Sequence, residues 1–372
     1  MERKVIIIIL LIGILFIVFL NQTELFGNYK TTCDSNWLPG LLKIALEERD
    51  IVLNKDEWDY YIPCSYNKCE KYSKDVEKEL GTDKKQRKIF MVDGCDKIAS
   101  KMNLWYMVNK RWDDMAKEIM PETFSIRDNQ DLKNLKQHFE IMKKKDPYVK
   151  YILKNHKQRQ EGLKIIDNID NIETFKNDFI LAQHFLNDPF ILNGRKINFR
   201  YYTLIVCKNG KVNGYICRNG FVYYTPKFFD KKSMEVDRNI TTGYIDRKVY
   251  QENPLTLEDF REYLGKEKAD KWDAEVRKKF KMMIEAIEPN ICLNKNDNHI
   301  RFQLFGSDIA PSRNLKAQFM EINKGPDVGA KDGRDKDVKL NMLRGMLEII
   351  ENDNINNNSI DILNKIGYEK IY

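Results

Sequence analysis

Apolar residues recur at two different spacings along this chain of 372 residues. Spacings of three and four, with Lys and Glu between, are typical of amphipathic helices. Alternating or continuous apolar runs rich in branched and aromatic residues are typical of strands. The pattern predicts helices at 38–48, 73–80, 98–116, 130–144, 257–264, 270–287 and 338–351, and strands at 87–92, 148–153, 179–185, 197–207, 211–217 and 221–224. The last two strands are predicted to pair as a hairpin around Asn219-Gly220, a strong turn dipeptide.

The amino terminus carries a different pattern, an unbroken apolar run of sixteen residues from Val5 to Leu20 behind Glu2-Arg3-Lys4. Such a run predicts a membrane-directed segment, although a spanning helix usually has about 17–25 residues. We therefore predict an N-terminal transmembrane helix, an uncleaved single-pass signal anchor that places the chain in a membrane through residues 5–20. A cleaved signal peptide is the alternative. The flanking charges leave the side of the membrane open.

Composition indicates a folded globule, since 32% of the residues are charged and 42% are apolar. The formal net charge of +7 is modest for this length and arises from dense charges of both signs. It would help attract an acidic partner, but a mostly solvated surface is the preferred interpretation. No segment interleaves Arg or Lys with aromatic residues, so a nucleic-acid partner is not expected.

The seven cysteines lack the paired C-x-x-C spacing of a typical zinc site. Cys207 and Cys217 lie in apolar strands and are predicted to be small core residues. Four others lie in the amino-terminal third, where disulfides are possible in an oxidising compartment, namely Cys33, Cys64, Cys69 and Cys95.

The last quarter of the chain carries a candidate metal site. A strand is predicted to end at Asp308, and after a turn the chain returns as a second strand through Glu321 and Asn323. Residues two apart on a strand share a face, so Glu321 and Asn323 point the same way, and depending on the register Asp308 lies near them across the hairpin. Three oxygen ligands without His or Cys favour a hard cation such as Mg²⁺. A solvated hairpin end is the alternative.

Basic residues occur at two strands upstream. Lys154 ends a strand and opens a polar loop, where a lysine can hold a phosphate as a point charge; the alternative is an ordinary hairpin tip. Alternation places Lys196, Asn198 and Arg200 on one strand face. Polar groups on an otherwise apolar strand need partners, which phosphate oxygens or solvent could supply.

A purine site is predicted at residues 179–186, where Gln183 and His184 interrupt an apolar strand. Such a segment can sandwich a base and pair with its edge. A lone histidine there is more often a core or rim residue.

Taken in order along residues 101–351, these motifs resemble the tubulin-tyrosine ligase-like proteins, which are ATP-grasp enzymes. The number, order and spacing of the motifs make the resemblance specific, although each is weak alone. The matching pieces are Lys101-x-x-Leu-Trp105, Met120-Pro-Glu-Thr-Phe124, Tyr151-Ile-Leu-Lys154, Gln160-x-Gly162, Gln183-x-Phe-Leu186, Gly194-Arg-Lys-Ile-Asn-Phe-Arg200, Asn219-Gly-Phe221, Phe302-Gln-Leu-Phe-Gly-x-Asp308 and Glu321-Ile-Asn323.

The resemblance implies a role for each candidate residue. Arg200 and Lys196 are expected to be catalytic and to face the phosphates. Mg²⁺ is expected on Asp308, Glu321 and Asn323. The ATP-binding residues implied are Lys154, Gln160, Gly162, Gln183, His184, Phe185, Leu186, Lys196 and Arg200.

Several positions depart from the family pattern. Asn198 stands where an acid is common, and Asn239-Ile-Thr-Thr242 replaces a His-Leu-Thr-Asn motif. Tyr223 replaces a frequent Arg, Asn155 a frequent Pro, and His184 a common Lys. The departures concern the acceptor and the amino acid more than ATP.

The fold expected is α+β with ATP-grasp architecture. The expected parts are an anchor and tether (1–30), an amino-terminal lobe (31–125), a central lobe (126–195), a carboxy-terminal lobe with the metal site (196–355) and a tail (356–372).

The function expected is an ATP-dependent carboxylate–amine ligase that joins an amino acid to a protein or peptide carboxylate, an acidic tubulin tail among them, through an acyl phosphate. The alternatives are a membrane-anchored nucleotide-binding protein without ligase activity, and a ligase acting on a non-tubulin small molecule or secretory protein.

Overall fold

The computed structural model describes residues 27–31, 40–63, 76–81, 85–155, 162–295, 297–352 and 360–372. Within these residues, no helix is both long and apolar enough to cross a membrane. This finding contradicts the predicted transmembrane helix and membrane localisation, which we withdraw; residues 5–20 themselves lie outside the described part of the chain. The run of sixteen apolar residues is also shorter than the ~20 that a spanning helix needs.

Two sheets organise the described residues, as the α+β prediction requires. Eleven of the described strands form a mixed sheet in the order β15-β11-β10-β13-β4-β3-β1-β2, with β12 and β9 on β10 and β14 on β13. The members are β1 (Gly27–Thr31), β2 (Ile51–Leu53), β3 (Tyr60–Ile62), β4 (Lys88–Ile89), β9 (Ile191–Leu192), β10 (Arg195–Lys208), β11 (Lys211–Cys217), β12 (Phe221–Tyr224), β13 (Ile300–Pro311), β14 (Ala317–Asn323) and β15 (Tyr368–Lys370).

A second, antiparallel sheet has the order β5-β8-β6-β7. Its strands are β5 (Thr123–Ser125), β6 (Tyr151–Lys154), β7 (Leu163–Ile166) and β8 (Leu181–His184). One face packs on a helix at Asn129–Lys145 through Leu135, Phe139, Tyr151 and Leu153. The other face carries Lys154 and Gln183 toward the large sheet.

Helices cover both faces of the large sheet, and each face buries its own apolar cluster. Alternation along β10 decides the split, since Phe199 and Tyr201 enter one cluster and Tyr202 and Leu204 the other. The helices are α1 (Gly40–Glu47), α2 (Cys95–Ala99), α3 (Lys101–Trp112), α4 (Ala116–Ile119), α5 (Asn129–Lys145), α6 (Val236–Asn239), α7 (Val249–Glu252), α8 (Leu257–Leu264), α9 (Lys266–Ile287), α10 (Gly333–Glu351) and α11 (Ile360–Lys365), with 3₁₀ turns at Asp113–Met115, Ile172–Phe175 and Glu288–Asn290.

The predicted hairpin around Asn219-Gly220 is wrong. Strands β11 and β12 both pair with β10, on successive stretches of it, and the hairpin is formed by β10 and β11 around Asn209-Gly210. Both turn residues have positive φ, 50° and 69°, as a two-residue turn of this kind requires. The sequence contains Asn-Gly at both 209–210 and 219–220. Because β10 extends to Lys208 and β11 begins at Lys211, the tight turn forms at Asn209-Gly210.

The assignment of Cys207 as a plain core residue is also corrected. Cys207, near the end of β10, forms a disulfide with Cys292, which precedes β13, and the two Cα atoms are 5.4 Å apart. Their separation of 85 residues left no spacing signal in the sequence. Cys217 is buried, as predicted.

The aromatic core under β10 should dominate the stability of the large sheet. Trp272 on α9 is buried, packs on Phe199 with ring centroids 5.0 Å apart, and donates its indole N–H to the Tyr201 hydroxyl at 3.0 Å. We expect Trp272→Ala to lower the free energy of unfolding by about 3–5 kcal/mol because it opens a cavity and removes that donor. Urea denaturation followed by circular dichroism measures the change.

The neighbouring Lys271→Ala is the matched control. Its ammonium is exposed and pairs only with exposed Glu267 among the contacts described, so it should cost less than about 0.5 kcal/mol. Equal losses for the two variants would contradict the packing role of Trp272.

Candidate active site

The centre of the site is a row of three side chains on three adjacent strands. The register places Arg200 of β10 opposite Asp308 of β13, and Asp308 opposite Glu321 of β14. The same sheet face carries Leu204 and Leu304 into an apolar cluster farther along. The site therefore begins where the apolar part of that face ends.

A bulge in β14 sets the direction of the returning side chains. The register shifts between Asp308 and Ile309, so that Ile309 pairs with Phe319 while Asp308 pairs with Glu321. Phe319 and Ile322 both enter the core on the opposite face although they are three residues apart. The extra residue thus turns Glu321 toward Arg200 and Asp308, a common use of bulges beside sites.

Each carboxylate of the row has a cationic partner. Arg200 makes a two-pronged contact with Asp308, with Nε donating to Oδ1 at 2.6 Å and Nη2 to Oδ2 at 3.0 Å. Lys101, the first residue of α3, lies with its Nζ 3.4 Å from a Glu321 oxygen. Asn323 donates from Nδ2 to the other Glu321 oxygen at 3.1 Å. The three predicted metal ligands are thus adjacent.

The two carboxylates have opposite pKa shifts. Burial raises the pKa of Asp308 to about 6, with Glu321 adding to the rise and Arg200 opposing it. Burial also disfavours ionised Glu321, but Lys101 and Lys154 outweigh it and lower its pKa to about 2. Two carboxylates this close resist full ionisation, and a cation between them favours the ionised form of both.

Lys154 ends β6 and turns into the space between the sheets, where it is 7% exposed. Its ammonium donates to the Gln183 amide oxygen at 2.7 Å, and the Gln183 amide nitrogen donates to the Thr123 hydroxyl at 2.9 Å. Burial lowers the pKa of Lys154 to about 8, although Glu321 opposes the shift.

Lys196 is 5% exposed and lies over the Phe185 ring, 3.9 Å from its centroid. Burial lowers its pKa to about 7, and the positive charges of Lys150 and Lys154 lower it further. Three desolvated lysines therefore converge between the two sheets. Such a group favours a polyanion, which would supply the missing negative charge.

Lys150 was missed by the sequence analysis. It is 2% exposed, and its ammonium donates to the Ser233 carbonyl at 2.9 Å and the Asn239 side-chain oxygen at 3.2 Å. Asn239 in turn donates to the carbonyls of Ser233 and Glu235. Residues 150 and 154 share a strand face by alternation, a signal that could have identified Lys150.

The side chains of the predicted purine strand point to opposite faces of the small sheet. Gln183 and Phe185 face the lysines, whereas His184 turns to the opposite face, where its ring lies 5.2 Å from that of His138 on α5. The structure therefore does not bring His184 to the lysine group. Leu186 is partly buried at the end of the same segment.

Between β6 and β7 the structure describes Asn155 and Gly162, and Gln160 lies outside the described residues. The backbone N–H of Asn155 donates to the Gly162 carbonyl at 3.2 Å. Gly162 has a φ of 75°, and a Cβ there would meet the Asn155 side chain at 2.1 Å. Glycine is therefore required at position 162 for this contact.

Two departures from the family pattern flank Arg200. The side-chain oxygen of Asn198 is buried without a hydrogen-bond partner. Tyr223, opposite Asn198 on β12, presents its ring 5.5 Å from the Arg200 guanidinium carbon. Burial raises the pKa of Tyr223 to about 12, so the phenol is neutral at physiological pH. Beside Arg200 the site therefore offers the unpaired side-chain oxygen of Asn198, and neither Asn198 nor Tyr223 carries a charge.

Known proteins are similar in sequence to part of this chain. Bovine (Bos taurus) "Probable tubulin polyglutamylase TTLL9" is 24% identical over 181 residues, which cover 46% of this chain and 38% of that protein. Human "Tubulin polyglutamylase TTLL7" is 24% identical over 243 residues, 55% of this chain and 26% of that protein. "Probable alpha-tubulin polyglutamylase Ttll1" of Tetrahymena thermophila is 22% identical over 198 residues, 50% of this chain and 46% of that protein.

The chain thus spans less than half the length of these curated relatives. The family model described as the tubulin-tyrosine ligase family matches residues 81–358, well over half of the chain, and includes every element of the site. The chain belongs to the tubulin-tyrosine ligase family.

Proposed function

We propose that this chain is an ATP-dependent carboxylate–amine ligase that adds an amino acid to a protein or peptide carboxylate. The observation that carries the proposal is the convergence of Lys150, Lys154 and Lys196 opposite the paired carboxylates Asp308 and Glu321. A lysine cluster facing two acidic side chains matches a phosphate chain on one side and a divalent cation on the other.

ATP would lie between the two sheets. Lys154 and Lys196 hold the phosphates, because an anion restores the charge balance that burial has disturbed at both ammonium groups. Gln183, on the strand predicted to contact the adenine base, accepts a hydrogen bond from Lys154, which would contact the phosphates. Phe185, Leu186, Gln160 and Gly162 would line the nucleotide. His184 supports this strand from behind.

Mg²⁺ fits the row of Asp308, Glu321 and Asn323. The donors are two carboxylates and an amide, the oxygen ligands that Mg²⁺ prefers. The raised pKa of Asp308 indicates that its carboxylate needs a positive partner beyond Arg200. When bound, Mg²⁺ would draw charge from the phosphate oxygens.

The reaction needs no nucleophile from the protein. The acceptor carboxylate attacks the γ-phosphorus, the bond to the β-phosphate oxygen breaks, and an acyl phosphate and ADP form. The amine of the incoming amino acid then attacks the acyl carbon, phosphate leaves, and the amine loses a proton. Arg200 and Lys196 stabilise charge on the transferring group, and the two sheets exclude water.

Glutamate and an acidic tubulin tail are the first substrates to test, because the relatives are named as tubulin polyglutamylases. Asn198 offers an unpaired acceptor for the incoming amine. Tyr223 adds no charge near Arg200, so amino acids without a side-chain carboxylate, and acceptors other than tubulin, belong in the same screen.

A second candidate function is nucleotide binding without ligation. Its supporting observation concerns Asn239, a departure from the family motif that is fully buried. The Asn239 side-chain oxygen accepts from Lys150 and its nitrogen donates to the Ser233 carbonyl, so the side chain has a structural role here. This candidate requires Mg·ATP binding without acceptor-dependent turnover.

We expect this chain to convert Mg·ATP to ADP and phosphate only when an amino acid and an acceptor are both present. The Asp308→Ala/Glu321→Ala double variant should lose this turnover, because the cation site is removed. Phosphate release measured across a panel of amino acids and acidic peptides, with mass spectrometry of the acceptor, checks both statements. Binding of Mg·ATP with no release for any pair would support the second candidate.

Arg200→Ala should lower kcat/KM for ligation roughly a hundredfold. This corresponds to about 3 kcal/mol of transition-state stabilisation, the usual effect of losing one donor to a developing anion. Arg200→Lys keeps the charge but not the two-pronged contact with Asp308, so its loss should be smaller. Steady-state kinetics of both variants gives the comparison. Full activity of Arg200→Ala would exclude this role.

Binding of Mg·ATP should take up roughly one to two protons at pH 8. Lys196, with a pKa of about 7, is mostly neutral there and Lys154, with a pKa of about 8, is half neutral, and bound phosphates raise both pKa values and charge both groups. Affinity should therefore fall as the pH rises above 7, and uptake should shrink toward pH 6. Calorimetry in buffers of different ionisation enthalpy measures the uptake.

Lys196→Arg tests the assignment, since arginine stays charged throughout and should remove most of the uptake. Exposed Lys231→Arg is the matched control and should keep it. Binding heats that do not depend on the buffer in the unmodified chain would contradict the prediction.

A further inference from the structure

A second group of ligand-type side chains lies behind the small sheet, on the face away from Lys154. It consists of Glu122, which precedes β5, His138 on α5 and His184 at the end of β8. One potential ligand atom from each lies within 4.8 Å of the other two. We propose that these three residues bind a transition-metal ion of the zinc class, separate from the proposed Mg²⁺ site.

The three side chains come from separate parts of the chain and meet edge to edge. His138 Nε2 lies 2.7 Å from a Glu122 oxygen, and the two imidazole rings are 5.2 Å apart and nearly perpendicular at 81°. Ligand atoms around tetrahedral zinc are ~3.3 Å apart, given bonds of about 2.0–2.1 Å. The close pair at 2.7 Å must open by about 0.6 Å, and the other distances, all within 4.8 Å, must close by at most about 1.5 Å, within reach of side-chain rotation.

Tyr151 already orients His138. Its hydroxyl lies 2.5 Å from His138 Nδ1, and the tyrosine is fully buried on β6. When Nε2 binds a metal, Nδ1 carries the proton and donates it to the tyrosine oxygen. Metal-bound histidines are usually held by such a partner on the other ring nitrogen.

Metal binding by this set would use the imidazoles of His138 and His184 in their neutral form and the carboxylate of Glu122 in its ionised form. Binding should therefore weaken as the pH falls and the imidazoles take up protons.

The donor set decides the class of ion. Two imidazoles and one carboxylate suit zinc and its neighbours, whereas Mg²⁺ and Ca²⁺ prefer oxygen ligands alone. Three protein ligands leave a fourth position for water. The ion would join α5 to β5 and β8 directly behind Gln183, the residue that contacts Lys154.

Zinc binding to the full, EDTA-stripped chain tests the proposal, with Asp308→Asn/Glu321→Gln as background to remove the oxygen site. We expect one Zn²⁺ per chain by calorimetry, and Co²⁺ spectra typical of nitrogen and oxygen ligands without thiolate bands. His184→Asn and Glu122→Gln should each weaken binding more than the ~10–100-fold expected for Tyr151→Phe.

Glu122→Gln keeps the hydrogen bond to His138 and so separates metal binding from packing. His299→Asn is the matched histidine control and should leave Zn²⁺ affinity unchanged; circular dichroism confirms that each variant is folded. The proposal is overturned if the unmodified chain and both ligand variants bind Zn²⁺ equally, if Co²⁺ reports thiolate ligands, or if no ion binds, which leaves an ion pair of His138 and Glu122 only.

Discussion

The antiparallel pairing of β10 with β13 sets both the packing of the core and the geometry of the candidate site. One register places Leu204 beside Leu304 in the core and Arg200 beside Asp308 in the site. A slip of one residue would turn every side chain of either strand to the other face. Folding of the core and assembly of the site are therefore one event.

Gly306 allows the Arg200 side chain to lie flat along this pair of strands. A Cβ at that position would approach the Arg200 side chain to 3.2 Å and Pro326 to 3.0 Å. The guanidinium can therefore reach Asp308 two-pronged, and the bulge at β14 brings Glu321 into the same row. A glycine and a bulge thus set the distances between the charged groups of Arg200, Asp308 and Glu321.

Burial of charged side chains destabilises this site in the absence of a ligand. The ammonium groups of Lys150, Lys154 and Lys196 are desolvated together, and burial lowers the pKa of each. Their carbonyl, amide and aromatic contacts offset only part of that penalty. Lys154 and Lys196 lie on strands of the two sheets and Lys150 directly precedes β6, so a phosphate ligand of the kind proposed would relieve the penalty at all three.

Spacing in the sequence predicted the strands that bear the site, the shared face of Lys196 and Arg200, and the shared face of Glu321 and Asn323, because spacing along one strand is local information. The register that pairs Asp308 with Glu321, the choice of Asn-Gly for the hairpin, the bond between Cys207 and Cys292, and the meeting of Glu122, His138 and His184 arise from tertiary contacts. Those outcomes depend on contacts between residues far apart in the chain, and local pattern carries no record of such distances.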